Sequence, residues 1–259
     1  MNITPSIFTS VINSYLPEPH ASLLNGILFG IPLRSTKILY QQLQVVGLLH
    51  LVVLSGMNIT ILGAIVGLAT NKLPKNLSLF CTIGCIVAFS FFVGPQPPIV
   101  RAAVMGTLST ISIIYGKRNT ALVSLLCAVL VIAIFKKDWL SGISCQLSVG
   151  ATFGIILFGK GRGGNAVIQD LRTSLAAQIF TAPLIFIFFK QISLISPLSN
   201  LAVSFLIPPL MIFGFLTAIL GNIHWLLGLP LSYICYGLLS YMIFAIKILS
   251  KVPFAFVQF

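Results

Sequence analysis

Polar side chains inside a long apolar segment are the first candidates for chemistry in this sequence. His50, Ser55 and Asn58 lie within the apolar run from about Gly47 to Thr70. At about 100° per residue, a helix would hold all three within one arc of roughly 140°. Such an arc could line a water-filled path or form hydrogen bonds with a neighbouring helix, which contribute under about 1 kcal/mol each on average. Both interpretations stay open at this stage.

Enzymatic chemistry is not favoured by these residues. A nucleophilic serine needs a base that an acid orients, and no Asp or Glu lies in this run. The three acids of the chain, Glu18, Asp138 and Asp170, all lie near predicted ends of apolar segments, so paired carboxylates are not expected. The 5 cysteines lack paired short spacings for a metal, and no GxxxxGK phosphate loop occurs. The sequence therefore predicts no enzyme, no metal and no cofactor.

Arg101 is the most informative single charge. It follows Pro98 by three residues at the start of an apolar segment, and an arginine at mid-bilayer costs about 2.5–3.5 kcal/mol on insertion scales. It could anchor the helix by snorkelling or carry function in a path. Later apolar segments hold further uncharged polar groups: Gln146, Gln178 and Asn200. Each of these also has an ordinary explanation as a hydrogen-bond partner between helices.

The segments that carry these residues are predicted to be membrane helices. Hydrophobic residues make up 58% of the chain and charged residues only 7%, whereas soluble domains carry about 25% charged residues. A crossing of the hydrocarbon core needs about 20 mostly apolar residues, and the sequence supplies such segments repeatedly, with short loops. We predict an all-α fold, a polytopic transmembrane helical bundle of about eight spans with one proline-broken segment.

Two regions and one irregular segment follow from the same pattern. Residues 1–46 are predicted to form an N-terminal tail and an interfacial helix, because the apolar stretch from His20 to Pro32 is too short to cross. Residues 47–259 are predicted to form the transmembrane domain. The segment from Ile192 to Leu220 contains Pro197 and Pro208, which could produce a simple kink or the wall of a pathway.

Gly63 and Gly67 form a small-xxx-small pair in the first crossing. Small residues at this spacing let two membrane helices approach closely. We therefore predict a close helix contact on this face.

The basic residues predict an orientation. The chain has 15 Lys and Arg against 3 Asp and Glu, a net charge of +12. Six basic residues occupy every second loop: Lys72 and Lys75, Lys117 and Arg118, Lys160 and Arg162. The alternate loops carry less positive charge: Lys136, Lys137, Asp138 and Lys190. The positive-inside rule places the first set in the cytoplasm and the N-terminus outside, although the same excess would also attract a polyanion such as nucleic acid.

Four blocks of sequence resemble the ComEC family of competence proteins. The segment from Gly47 to Asn58 is similar to the GLxHLLAISGLH signature of that family. The other blocks resemble its arginine-bearing segment, its FQLS motif and its late region: Pro98–Gly106, Cys145–Ser148 and Ser174–Leu210. The blocks keep the order and spacing of the family over about Leu24 to Leu220.

The resemblance implies a channel core that passes single-stranded DNA across the bacterial cytoplasmic (inner) membrane during natural transformation, as a multi-pass protein. Together with the polar, glycine and proline patterns described above, it predicts a DNA pathway and a set of structural positions. The pathway residues are Arg101, His50, Ser55, Asn58, Gln146, Gln178 and Asn200. The structural residues are Gly56, Gly63, Gly67, Pro183, Pro197 and Pro208. Besides single-stranded DNA and membrane lipid, the implied partners are a DNA receptor outside and a helicase-like motor or single-strand-binding protein inside; homo-oligomer formation stays open.

Two departures from the family limit what the resemblance implies. Asn58 replaces the second histidine of the signature, which removes a titratable group. Larger members also carry an OB-like domain and a metallo-β-lactamase-like domain, and no segment of this sequence resembles either, so only the channel core is implied. The alternatives are a small-solute permease and a non-transporting membrane scaffold. A permease more often shows an internal repeat or buried acids, and a scaffold would not need polar groups in five spans.

Overall fold

The secondary structure is almost entirely helical, which confirms the predicted all-α fold. The computed structural model describes residues 5–33, 37–52, 56–116, 120–159, 165–252 and 256–258. Two three-residue strands in this part of the chain, β1 (Gln191–Ser193) and β2 (Phe256–Gln258), pair antiparallel. The α-helices of the described residues are α1 (Pro5–Tyr15), α2 (His20–Phe29), α3 (Lys37–Val45), α4 (Leu49–Val52), α5 (Gly56–Ala69), α6 (Lys75–Val93), α7 (Pro97–Ile114), α8 (Ala121–Phe135), α9 (Ile143–Phe158), α10 (Ala166–Phe189), α11 (Ser196–Val203), α12 (Ile207–Ile223) and α13 (Trp225–Leu249).

Four helices within the described residues are long and apolar enough to cross a membrane: Lys75–Val93, Val167–Phe189, Ser196–Ile223 and Trp225–Leu249. Shorter apolar helices accompany them: His20–Phe29, Asn58–Ala69, Ala121–Phe135 and Ile143–Phe158. A 15-residue helix such as α8 is about 22 Å long, which is less than the hydrocarbon thickness of about 30 Å. The structure thus supports a membrane protein, while the count of about eight spans stays a prediction.

The chain divides into two compact units. The first unit contains Met1–Ser55 and Lys190–Phe259, and the second contains Gly56–Phe189. These boundaries differ from the sequence-based division after residue 46. The predicted roles of residues 1–46 and 47–259 relative to the membrane stay predictions.

In its described residues, the second unit consists of six α-helices, α5–α10, joined by short connections. Pro97 and Pro98 occupy the first turn of α7, where a missing N–H removes no intrahelical hydrogen bond. Gly94 and Gly116 have φ angles of 100° and 64°, which glycine adopts without the steric cost of a Cβ. Helix α5 contacts α6 and α7, α7 also contacts α8 and α9, and α9 pairs with α10.

Helices α9 and α10 pack closely against each other in the second unit. A Cβ on Gly154 would overlap the carbonyl oxygen of Ala176 and would lie 3.0 Å from Phe180 Cδ2. A Cβ on Gly150, one turn earlier, would lie 3.6 Å from Phe180 Cβ. The ring of Phe153 packs edge-on against the ring of Phe180, with centroids 5.2 Å apart. The glycines therefore allow backbone-to-backbone approach, which membrane helices use because burial of apolar surface does not drive their association.

Gly154→Ala is expected to lower the free energy of unfolding by about 1–3 kcal/mol, because the added methyl group overpacks the α9–α10 contact. Gly67→Ala is the matched control, since no heavy atom lies within 4 Å of the position of its Cβ. Thermal unfolding in detergent should show a lower midpoint for the first variant and an unchanged or slightly higher one for the second. Equal midpoints would contradict this description of the pair.

Side chains of α10 cap the C-terminal end of α9. Gln169 Nε2 donates to the carbonyl oxygen of Gly159 at 2.6 Å, and Arg172 Nε donates to that of Phe158 at 3.0 Å. A cation at this end of a helix stabilises it by about 0.3–1 kcal/mol. Pro183 lies inside α10, and the helix continues past it.

The small-xxx-small face of α5 is in close contact at one of its two glycines. A Cβ on Gly63 would lie 3.1 Å from Ile86 Cδ1 of α6, whereas a Cβ on Gly67 would meet open space. The close approach to α6 therefore occurs at the earlier turn of the helix.

In the first unit, α2 is buried along almost its whole length. Every residue from Ala21 to Phe29 is buried, and α1, α12 and α13 pack against the helix. Gly214 of α12 lies against Leu24 and Leu28, each with a methyl group within 3.0 Å of the position of a Cβ. An interfacial helix keeps one apolar face in the headgroup region, whereas protein covers this helix; its position relative to a membrane stays a prediction.

Polar contacts hold the segment that follows α10, where the chain returns to the first unit. Ser193 Oγ donates to the carbonyl oxygen of Val45 at 2.7 Å. Gly47 has a φ angle of 73°, and a Cβ there would lie 2.6 Å from Ser196 Cβ. Only glycine satisfies both the left-handed backbone and the close approach. The strand register pairs Gln191 with Gln258, Ile192 with Val257 and Ser193 with Phe256.

The proline-broken segment is two α-helices joined by a short 3-10 helix. Pro197 lies in the first turn of α11, and Pro208 and Pro209 lie in the first turn of α12. The 3-10 helix, Ser204–Leu206, connects them. Each proline thus occupies a position where its missing N–H costs no helical hydrogen bond.

Candidate nucleic-acid pathway

Arg101 reaches from α7 across to α9 within the second unit. Its Nη1 donates to the carbonyl oxygen of Ser148 and to Thr152 Oγ1, and Thr152 Oγ1 itself donates to the same carbonyl oxygen at 3.0 Å. Arg101 Nε is buried and has no hydrogen-bond partner in the described structure. The guanidinium is therefore held by neutral oxygen atoms rather than by a carboxylate.

Gly56 provides the space for this guanidinium at the start of α5. A Cβ on Gly56 would overlap Arg101 Nη2 and would lie 3.0 Å from Ala102 Cβ. The guanidinium thus places a positive charge beside α5 with neutral oxygen atoms around it, which gives a positive potential that suits an anion.

The other pathway residues predicted for the second unit lie on three different helices. Asn58 is 1% exposed and lies in the first turn of α5, two residues after Gly56. Gln146 lies in the first turn of α9 and donates to the carbonyl oxygen of Ser141 at 3.4 Å. Gln178 is half-buried on α10, and no hydrogen bond in the described structure joins it to Arg101. The structure thus places Asn58 on the helix that carries Gly56, whereas Gln178 lies on α10, which provides neither of the two acceptors of Arg101 Nη1.

The remaining predicted pathway residues belong to the first unit. His50 is exposed on α4, and its Nδ1 donates to the carbonyl oxygen of Gly47 at 3.0 Å. Asn200 is half-buried on α11. Ser55 lies outside the described residues, so the predicted arc of His50, Ser55 and Asn58 is not tested.

Sequence reasoning missed the residues that hold Arg101. Thr152 and the Ser148 carbonyl were not predicted, although Ser148 belongs to the motif block at Cys145–Ser148 and Thr152 follows it by one helical turn. A hydroxyl one helical turn from a motif on an apolar helix could have indicated such a contact, because its oxygen can accept a hydrogen bond from a cationic side chain.

The comparisons with known proteins place the chain in a family. The model of the family described as Competence protein matches residues 27–259. The chain is similar to ComE operon protein 3 of Bacillus subtilis (strain 168), with 24% identity over 212 residues that make up 76% of this chain and 26% of that protein. It is also similar to an uncharacterized protein of Aquifex aeolicus (strain VF5), with 29% identity over 216 residues, 80% of this chain and 50% of that protein.

The chain thus spans a quarter to a half of the length of these curated relatives, and no solved structure matches it. The family match extends from α2 to the end of the chain and includes both compact units. The region that it covers contains Arg101 with its α9 partners and the polar residues of both units. On this match, the chain belongs to the Competence protein family.

Proposed function

We propose that this chain forms the membrane channel core that passes single-stranded DNA across the bacterial cytoplasmic membrane during natural transformation. The observation that carries the proposal is Arg101, a half-buried cation that neutral oxygen atoms hold beside Gly56 of α5. No carboxylate in the described residues neutralises this charge. Its positive potential is therefore available to an anionic ligand.

The physical requirement for DNA passage agrees with the charge distribution. Hydrocarbon cannot solvate a polyanion, so the strand needs a wet route with positive potential and few acids. The net charge is +12 with only 3 acidic residues, and uncharged polar residues of the second unit such as Asn58 and Gln146 could then line the deeper route. Groups of this kind bind weakly enough to release the strand.

The proposal includes partners that supply direction and energy. The sequence has no phosphate-binding loop for ATP, so we expect a helicase-like motor or a single-strand-binding protein inside. A DNA receptor outside would deliver the strand. In this proposal the chain forms only the channel core, and other proteins carry out any enzymatic step on the DNA.

Deletion of the chain tests the function. Transformation should be lost, while DNA binding at the cell surface should persist, because only passage through the membrane depends on the channel. Complementation by the wild-type gene is the control. Loss of surface binding in the deletion strain, or normal transformation, would contradict the proposal.

Binding of single-stranded DNA to the purified protein is expected to weaken with salt and to ignore base sequence. The logarithm of the affinity should fall with the logarithm of salt concentration by about 0.7 for each phosphate contacted. Oligonucleotides of equal length and different sequence should give the same slope. An affinity that is independent of salt would exclude a phosphate-binding path.

The orientation gives a separate prediction. Cysteines introduced at Asn76 and Asn119, in a background without native cysteines, should resist labelling from outside intact cells, because the positive-inside rule places both loops in the cytoplasm. Asn76 lies on α6, near Lys72 and Lys75, whereas Asn119 lies outside the described residues. Permeabilised cells provide the control, and ready labelling of both sites in intact cells would reverse the orientation.

A further inference from the structure

An aromatic cleft lies between the end of α1 and the first half of α13, inside the first unit. Its volume is about 350 Å³. The lining residues are Ser14, Tyr15, Leu16, Pro17, Trp225, Leu229, Ser232, Tyr233 and Tyr236. Tyr15 Oη donates to the carbonyl oxygen of Trp225 at 2.8 Å, which joins the two walls. The cleft therefore presents four aromatic rings with polar tips and no charged side chain.

The aromatic rings extend too deep to be only an interfacial belt. Trp225 is the first residue of α13, and Tyr236 follows it by eleven residues, which is about 16 Å along the helix axis. A belt of Trp and Tyr sits at the headgroup level. If α13 crosses the membrane from Trp225, Tyr236 lies near the middle of the hydrocarbon core. Tyr236 is 42% exposed and Tyr233 is 69% exposed.

Polar groups lie behind the ring of Tyr236. The His20 ring stacks on Tyr236 with centroids 4.5 Å apart, and His20 Nε2 lies 3.0 Å from Ser240 Oγ, within hydrogen-bond distance. His20 Nδ1 is buried with no partner in the described structure. A buried polar atom without a protein partner usually binds an ordered water. The ring of Tyr236 is therefore backed by the polar side chains of His20 and Ser240.

The charge around the cleft disfavours phosphate groups there. Glu18 follows the lining residue Pro17 in the chain and accepts a hydrogen bond from Ser22 Oγ at 2.7 Å. A carboxylate repels phosphate, whereas stacking of a nucleobase on Tyr, Trp or His needs no positive charge and tolerates every base. The lining of the cleft is thus complementary to the bases of a strand rather than to its backbone.

We propose that this cleft is a stacking site for the bases of single-stranded DNA, separate from the cation at Arg101 in the second unit. The inference rests on the proposed function, because a passing strand is the source of the bases. It assigns base contacts to Tyr233, Tyr236 and Trp225 of α13. It also gives the first unit a direct role in holding the strand.

Tryptophan fluorescence tests the stacking site. The chain has 2 Trp residues, so Trp139→Phe leaves Trp225 as the only reporter. In nanodiscs, a thymidine oligonucleotide should quench Trp225 and an abasic strand of equal length should not. The abasic strand should bind about 5-fold to 150-fold more weakly, the equivalent of one stacked base. Tyr236→Leu should remove this difference, and Tyr236→Phe should keep it.

Tyr241→Leu is the matched control, because Tyr241 lies on the same helix but packs against Phe205 outside the cleft. Equal binding of the thymidine and abasic strands by the wild-type protein would overturn the inference. So would quenching of Trp225 by brominated phospholipid that the oligonucleotide does not relieve, because lipid would then fill the cleft. In that case the proposed function still stands if the deletion strain fails to transform and the wild-type gene restores its transformation. A deletion strain that transforms normally would instead reject the proposed function.

Discussion

Arg101→Gln is expected to lower DNA uptake by about 10-fold to 150-fold, because a hydrogen bond to a charged group contributes about 1.5–3 kcal/mol and the barrier to passage rises by that amount. Glutamine is neutral and too short to bridge Ser148 and Thr152 of α9. The measurement is transformation frequency divided by the amount of protein in the membrane. This correction is needed because Arg101 also joins α7 to α9.

Two further variants separate charge from packing at this position. Arg101→Lys should keep part of the activity, because it keeps the charge but has a single nitrogen instead of the planar guanidinium. Arg172→Gln is the matched control, since Arg172 is an exposed arginine of the same unit that only caps the end of α9. If Arg101→Gln transforms at the wild-type frequency, Arg101 is only a cross-link between helices.

The fold class could be predicted from the sequence because it depends on composition. Long apolar segments with short loops have one stable outcome in lipid, in which each segment satisfies its own backbone hydrogen bonds as a helix. The proline break was also predictable, since Pro197 and Pro208 favour a first helical turn or an interruption, although Pro183 lies inside α10 without ending it. The structure places a 3-10 helix between the two resulting α-helices.

The contacts of particular side chains could not be predicted, because they depend on the rotation of neighbouring helices. Gly63 and Gly67 look equivalent in sequence, yet only Gly63 meets α6. The acceptors of Arg101 lie 47 and 51 residues away on α9. No local pattern links positions at this separation, so the neutral surroundings of Arg101 required the structure.

The burial of α2 and the aromatic cleft depend on packing between distant parts of the chain. Tyr15 and Trp225 are 210 residues apart, and α2 is covered by helices from both ends of the first unit. Tyr233 and Tyr236 are three residues apart, which places them on one face of a helix. No pattern in the sequence links this face to Tyr15 of α1, which forms the other wall of the cleft.

Gly56→Val is expected to reduce DNA uptake nearly as much as Arg101→Gln, because the new side chain would occupy the space of the Arg101 guanidinium. The guanidinium is the flexible end of a long side chain, so it should move away from Ser148 and Thr152 while α5 still forms. Gly67→Val is the matched control on the same helix, since its side chain would enter open space. Transformation frequency per membrane-inserted protein is the measurement.

The double variant shows whether Gly56 acts through Arg101. Two substitutions that remove the same interaction are not additive, whereas independent ones add within about 0.3–0.5 kcal/mol. Adding Gly56→Val to Arg101→Gln should therefore lower uptake little further, because the guanidinium that the valine displaces is already gone. A full additional loss would mean that Gly56 is needed for its own packing against Ala102, whose Cβ lies 3.0 Å from the position of the added Cβ. The cation would then not depend on the space that glycine leaves at the start of α5.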